Sequence, residues 1–137
     1  MAYTWSPDLE TGNAAIDSQH RQLIDAVNAL FEAHHSGKGH QEVERTLEFL
    51  VSYTLKHFAD EEKLQKKHDY PDYLVHKNIH AEFKCSVQAL IKRWTQEGPS
   101  NEFINDVYAT IGEWLLCHIK GDDFKMATYV RNKEKKV

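Results

Sequence analysis

The sequence predicts an all-α protein, an up-down-up-down antiparallel four-helix bundle with an N-terminal arm. Three observations predict it. Four stretches of roughly 20–25 residues carry apolar side chains at alternating steps of three and four, the spacing that lines one face of an α-helix. Glycine and proline are sparse and fall between those stretches, so the connections are short and neighbouring helices must run antiparallel. Each apolar stripe is broken at one end by histidine, in one case with a glutamate beside it. The 137 residues, 41% hydrophobic and 28% charged, suit one globular domain over 1–137 with a core of its own.

An arm is expected over 1–15, with Gly12 as its break. The first helix is expected at about 17–36, on a seam of Ile16, His20, Leu23, Val27 and Leu30, and Ser36-Gly37-Lys38-Gly39 ends it. The second, about 40–66, has the seam Val43, Leu47, Leu50, Thr54, His57, Glu61 and Leu64 and runs toward a turn at Tyr70-Pro71. The third, about 72–96, follows Tyr73, His76, His80, Phe83, Val87, Leu90 and Trp94 up to Gly98-Pro99. The fourth, about 100–120, follows Ile104, Val107, Ile111, Trp114 and His118, and Gly121 is the last break. A short C-terminal segment, 121–137, remains, and its Lys133-Glu134-Lys135-Lys136 run reads as a solvated end.

Composition removes several classes of function. A net charge of −4 argues against nucleic acid and anionic membrane surfaces, which select basic patches. Nowhere do 18 consecutive apolar residues occur, so membrane insertion is not expected. Met1 to Gly12 lacks the apolar run of a signal peptide. Two cysteines, Cys85 and Cys117, are too far apart in sequence for a CxxC pair and indicate no disulfide framework, so a reducing cytoplasm is the expected location.

Nine histidines are the anomaly. His20 lies near the start of the first helix, His57 and Glu61 near the end of the second, His76 and His80 open the third, and His118 closes the fourth. In an up-down-up-down bundle those four ends meet at one level. A single histidine on an apolar face is more often a hydrogen-bonded core residue than a ligand, and His57-x-x-x-Glu61 alone reads as a helical polar pair. Together they demand more. Burying five imidazoles and a carboxylate without partners costs several kcal/mol, comparable to the whole stability of a small domain, and a bound metal removes that penalty. Asp123 is a further candidate, five residues after His118. On a regular helix that spacing turns it about 140° away, so it joins only if the helix loosens or ends near Gly121, and Asp122 competes for the place.

The number of donors bears on the metal. Structural zinc takes four ligands and catalytic zinc three plus water, whereas seven candidates are present here. A nitrogen-rich set with carboxylates suits a pair of irons. Ferritin-like di-iron sites need two Glu-x-x-His motifs; this chain has one, Glu32-x-x-His35, expected at the opposite end of the bundle.

Trp5, Gly12 and the run Ile16-Asp17-Ser18-Gln19-His20-Arg21-Gln22-Leu23 are followed by His57-Phe58-Ala59-Asp60-Glu61-Glu62 and Tyr70-Pro71. After these come His76-Lys77-Asn78-Ile79-His80-Ala81-Glu82-Phe83 and Trp114-Leu115-Leu116-Cys117-His118-Ile119-Lys120-Gly121-Asp122-Asp123. In this order and with these gaps the pattern resembles the hemerythrin family along nearly the whole chain. The resemblance implies two non-haem iron ions joined by an oxo or hydroxo bridge. His76, His80 and His118 would hold one and His20 and His57 the other, with Glu61 and Asp123 bridging, which selects Asp123 over Asp122 and Glu61 over Glu62. Ligands so shared fill all but one position of two roughly octahedral ions, and the open position, on the side of His20 and His57, is where molecular oxygen would bind.

The expected activity is therefore reversible oxygen binding, as carrier, store or delivery protein, and not catalysis. Sensing through a separate partner and removal of peroxide or nitric oxide are the alternatives. An apolar wall should surround the open position, with Leu23, Ile24, Trp114 and Ile119 as candidates that also serve as core residues. His34, His35, His40 and His68 read as surface residues and Cys117 as a helix-packing residue. Gln65 stands where members of the family often carry methionine.

Overall fold

Asn13, in extended backbone, accepts the amide of Ile16 on its side-chain oxygen and so starts α1 (Ala14–His35). The computed structural model describes residues 3–135; positions 1–2 of the arm and 136–137 of the C-terminal segment, Lys136 among them, lie outside it. Thr11 donates its amide and hydroxyl to Asp17 and in turn accepts the amide of Asn13, which winds the chain into the cap. This capping is why α1 begins at Ala14 and not near residue 17. Gly37 and Gly39, both at positive φ, turn the chain into α2 (His40–Lys67). α3 covers Tyr73–Glu97, and α4 (Asn101–His118) is capped by Ser100, whose hydroxyl accepts the Phe103 amide.

α1 packs mainly on α2 and α4, and α3 on the same two helices, which makes the expected four-helix bundle. The stripes face inward: Leu23, Val27, Leu30, Leu50, Phe83, Val87, Ile104, Val107 and Ile111 all enter one buried apolar cluster. Trp94 and Trp114 lie at its margins, half-buried, whereas Leu64 and Tyr73 pack against a smaller apolar cluster around Ile16 and Tyr70. No described helix is long and apolar enough to cross a membrane.

The chain departs from expectation after His118. It does not break at Gly121: a single π-helical turn, Ile119–Asp123, leads into a fifth helical segment, α5 (Phe124–Lys135). Met126, Ala127 and Val130 recur at helical spacing there and are buried with Ile16 and Tyr70 in a second, smaller apolar cluster. That burial explains why a helix forms where only a short segment was expected. Glu134 and Lys135 of the terminal run are exposed as expected, and the Lys133 ammonium donates to the carbonyl of His68.

At the other end the arm runs through a 3-10 turn at Pro7–Leu9 that buries Leu9. Tyr3 exchanges two hydrogen bonds with the Asn28 side chain and stacks on Tyr108. The Arg21 guanidinium lies 4.5 Å from the centroid of the Trp5 ring.

Candidate metal centre

The polar breaks in the stripes meet in one buried layer. His20 and His80 are fully buried, and His57, Glu61, His76, His118 and Asp123 are at most 4% exposed. The layer lies between the main apolar cluster and the smaller one that Ile16 and α5 form.

The π-turn decides which aspartate enters it. Its i→i+5 bonding accommodates one residue more than an α-turn, so Asp123 comes round to the face of His118, and its Oδ1 lies 3.1 Å from His118 Nε2. Asp122 stays outside, where its Oδ2 lies 3.0 Å from Nδ1 of the same ring.

Each inner carboxylate divides its two oxygens. Glu61 Oε1 is 2.8 Å from His76 Nε2 and 3.2 Å from His80 Nε2, while Oε2 is 3.0 Å from His57 Nε2 and 3.7 Å from His20 Nε2. Asp123 Oδ1 is 3.1 Å from His76 Nε2, and Oδ2 is 2.9 Å from His20 Nε2. Two donor groups result. Glu61, His76, His80, His118 and Asp123 form one, and His20, His57, Glu61 and Asp123 the other, each with its donor atoms within 4.8 Å of one another.

Electrostatics ties the layer together. Burial disfavours a charged His20, but Asp123 and Glu61 outweigh it and raise its pKa to about 9; the same two carboxylates do so for His76. Burial would also push up the Glu61 carboxyl, yet contacts with His20, His57, His76 and His80 hold it well below the usual range. Asp123 is lowered too, since His118, His20 and His76 prevail over burial and the Glu61 charge.

Hydrogen bonding alone leaves this arrangement unsatisfied. His20 Nε2, Glu61 Oε2 and both Asp123 oxygens approach their neighbours closely but without the direction of a hydrogen bond. His80 Nδ1 faces Glu62 at 2.8 Å and His118 Nδ1 faces Asp122 at 3.0 Å. A carboxylate only accepts, so both Nδ1 atoms carry the proton. In the neutral rings both Nε2 lone pairs then confront one another across 3.1 Å. Such a confrontation is repulsive unless a cation lies between. Two ligand atoms at about 2.1 Å from one ion and at right angles are roughly 3.0 Å apart. The residues present fit metal ions.

Sequence reasoning left three flanking residues without a role. Glu62 accepts from His80, Asp122 from His118, and Gln19 lies 2.6 Å from His57 Nδ1 through its Oε1. Each stands beside a candidate ligand in the chain, and that adjacency was the available signal. Phe58 was also passed over: it stacks on His80 at 3.9 Å between centroids, nearly parallel. Of the expected apolar wall, Leu23, Ile24 and Ile119 are buried in the main cluster, and Trp114 stacks on His118 and on Phe83. His34, His35, His40 and His68 lie outside both donor groups. The His68 side chain, 13% exposed, folds back on the Leu64 carbonyl.

Comparison with known proteins bears on this centre. The family model "Hemerythrin HHE cation binding domain" matches residues 11–130. A bacteriohemerythrin of Pseudomonas paraeruginosa is 35% identical over 128 residues, covering 93% of this chain and 81% of the relative. One from Stenotrophomonas maltophilia is also 35% identical, over 93% of this chain and 80% of its own length. A myohemerythrin of Theromyzon tessulatum is 30% identical over 123 residues, 90% of this chain and 89% of that protein.

Proposed function

Since the chain belongs to the hemerythrin family, we propose that it binds molecular oxygen reversibly at two non-haem iron ions, as a carrier, store or delivery protein. The observation that carries this reading is the division of Glu61 and Asp123, each with one oxygen toward His76 and the other toward His20 or His57. Two carboxylates so divided suit a pair of ions with shared ligands.

His76, His80 and His118 would hold one ion, His20 and His57 the other, and Glu61 and Asp123 both. Two iron ions so held would supply, in the ferrous state, two electrons and an open coordination position, which is what reversible oxygen uptake needs. The donor sets are unequal, five residues against four, so the place for an incoming ligand falls beside His20 and His57. Leu23, Ile24, Trp114 and Ile119 would keep water from that place. Imidazoles outnumber carboxylates five to two in the layer, which favours binding over turnover. Cys85 and Cys117 are free and exposed, which suits a reducing compartment such as the cytoplasm.

The test is metal analysis joined to an optical cycle. Two irons per chain are expected, with a near-ultraviolet and visible charge-transfer band that forms on oxygenation of the reduced protein and disappears on deoxygenation. Irreversible oxidation in a single exposure would sink oxygen binding as the function, and sustained consumption of hydrogen peroxide or nitric oxide would make the centre catalytic.

A further inference from the structure

The outer hydrogen-bond partners of the histidines differ between the two donor groups. His80 and His118 each donate Nδ1–H to a carboxylate, Glu62 at 2.8 Å and Asp122 at 3.0 Å. On the other side His57 Nδ1 meets a neutral amide, Gln19 Oε1, at 2.6 Å. His20 Nδ1 is buried with no hydrogen-bond partner among the described residues.

The orientation of Gln19 is not free. Its Nε2 donates to Asp60 Oδ2 at 2.9 Å, and the same oxygen accepts the Lys56 ammonium at 2.9 Å. A carboxylate offers no proton, so the amide must turn its NH2 to Asp60 and its carbonyl to His57. His57 Nδ1 therefore carries the ring proton. Its Nε2 is left with the lone pair, 3.0 Å from Glu61 Oε2.

Resting on the iron-pair reading above, we propose that Gln19 is a positioning residue with two effects. It fixes the metal-binding tautomer of His57. Being neutral where Glu62 and Asp122 are anionic, it also makes the position of His20 and His57 the electron-poorer of the two, the one reduced first. An anionic acceptor strengthens the hydrogen bond and raises the basicity of the imidazole behind it. Two rings of one group have that support and neither ring of the other does. A cleft of about 270 Å³ beside Gln19, bordered by Ile16 and Leu64, leaves room for altered side chains there.

The test uses the full chain. Anaerobic titration with ferrous iron, and separately with zinc as a redox-silent probe, reads the affinity of each metal equivalent. A redox titration of the iron-loaded protein through its mixed-valence state reads the two one-electron steps. Gln19→Leu removes the acceptor and should weaken one metal equivalent by about 10–100-fold, leaving the other unchanged. The double variant Gln19→Glu, Asp60→Asn keeps the total charge but places the carboxylate against His57. It should restore metal affinity and lower the potential of the more easily reduced step alone. Equal weakening of both equivalents by Gln19→Leu, or loss of thermal stability without change in either, would make Gln19 a mere tie between α1 and α2. Unmoved potentials in the double variant overturn the electronic half of the proposal. A wild-type chain that takes up one metal ion overturns the iron-pair reading together with the proposal, whereas two ions in wild type and unaltered Gln19 variants overturn the proposal alone.

Discussion

His118 and Asp123 are five residues apart, yet Nε2 of one lies 3.1 Å from Oδ1 of the other. The π-turn between them is what closes that distance, and it leaves Asp122 outside against Nδ1 of the same ring. The two neighbouring aspartates should therefore respond differently to substitution. Asp123→Ala removes a shared donor and should abolish stable uptake of one of two metal ions. Asp122→Asn only weakens the support of His118, and should lower metal affinity by about 10–100-fold while retaining both ions. Anaerobic metal titrations compare them. Identical behaviour of the two variants would contradict this division of roles.

Gln65 lies one helical turn beyond Glu61, fully buried, and both polar atoms of its amide lack a hydrogen-bond partner among the described residues. Leaving such a group unpaired costs about 1–3 kcal/mol. Methionine has a similar length and no such demand. Gln65→Met should therefore stabilise the metal-free protein by roughly that amount, read as a higher urea midpoint with an unchanged slope. An unchanged or lower midpoint would mean that the amide is satisfied in solution.

The arm and α4 meet at Gly112, where a β-carbon would overlap the ring of Tyr3. Gly112→Ala should displace Tyr3 from Tyr108 and from Asn28, costing about 1–3 kcal/mol for the overpacking against about 1 kcal/mol gained in helix propensity. With Tyr3 already replaced by alanine, the clash is absent and only the propensity remains. The same substitution should then stabilise the protein. Denaturant melts of both single variants and the double variant measure this reversal of sign, and equal effects in the two backgrounds would rule out the contact.

Metal loading should release protons. Glu61 and Asp123 raise His20 and His76 to about 9, so below that pH the metal-free protein holds both rings as cations, whereas a metal requires them neutral. Apparent affinity should rise with pH until about 9 and level off above it. An indicator dye in a weakly buffered anaerobic titration should record about two protons per chain near pH 7.5 and fewer near pH 10. Loading at neutral pH without acidification would show that these rings are already neutral.

The bundle was legible because helical periodicity is local: which face of each stretch is apolar can be counted from the order of residues alone. Depth along each stretch was legible too, since short connections force neighbouring helices to alternate, and His20, His57, Glu61, His76, His80 and His118 therefore meet in one layer. What lay beyond counting depended on departures from that regular geometry. Spacing alone left Asp122 and Asp123 in competition, and the resemblance chose between them; the structure supplies the π-turn that carries Asp123 inward. The helix at Phe124–Lys135 forms because its apolar side chains find Ile16 and Tyr70, residues distant in the chain. Gln19 gained its role only when α1 and α2 came together and set its amide between His57 and Asp60. A stripe records which side of a helix turns inward, but only packing determines which atoms from different helices come within bonding distance.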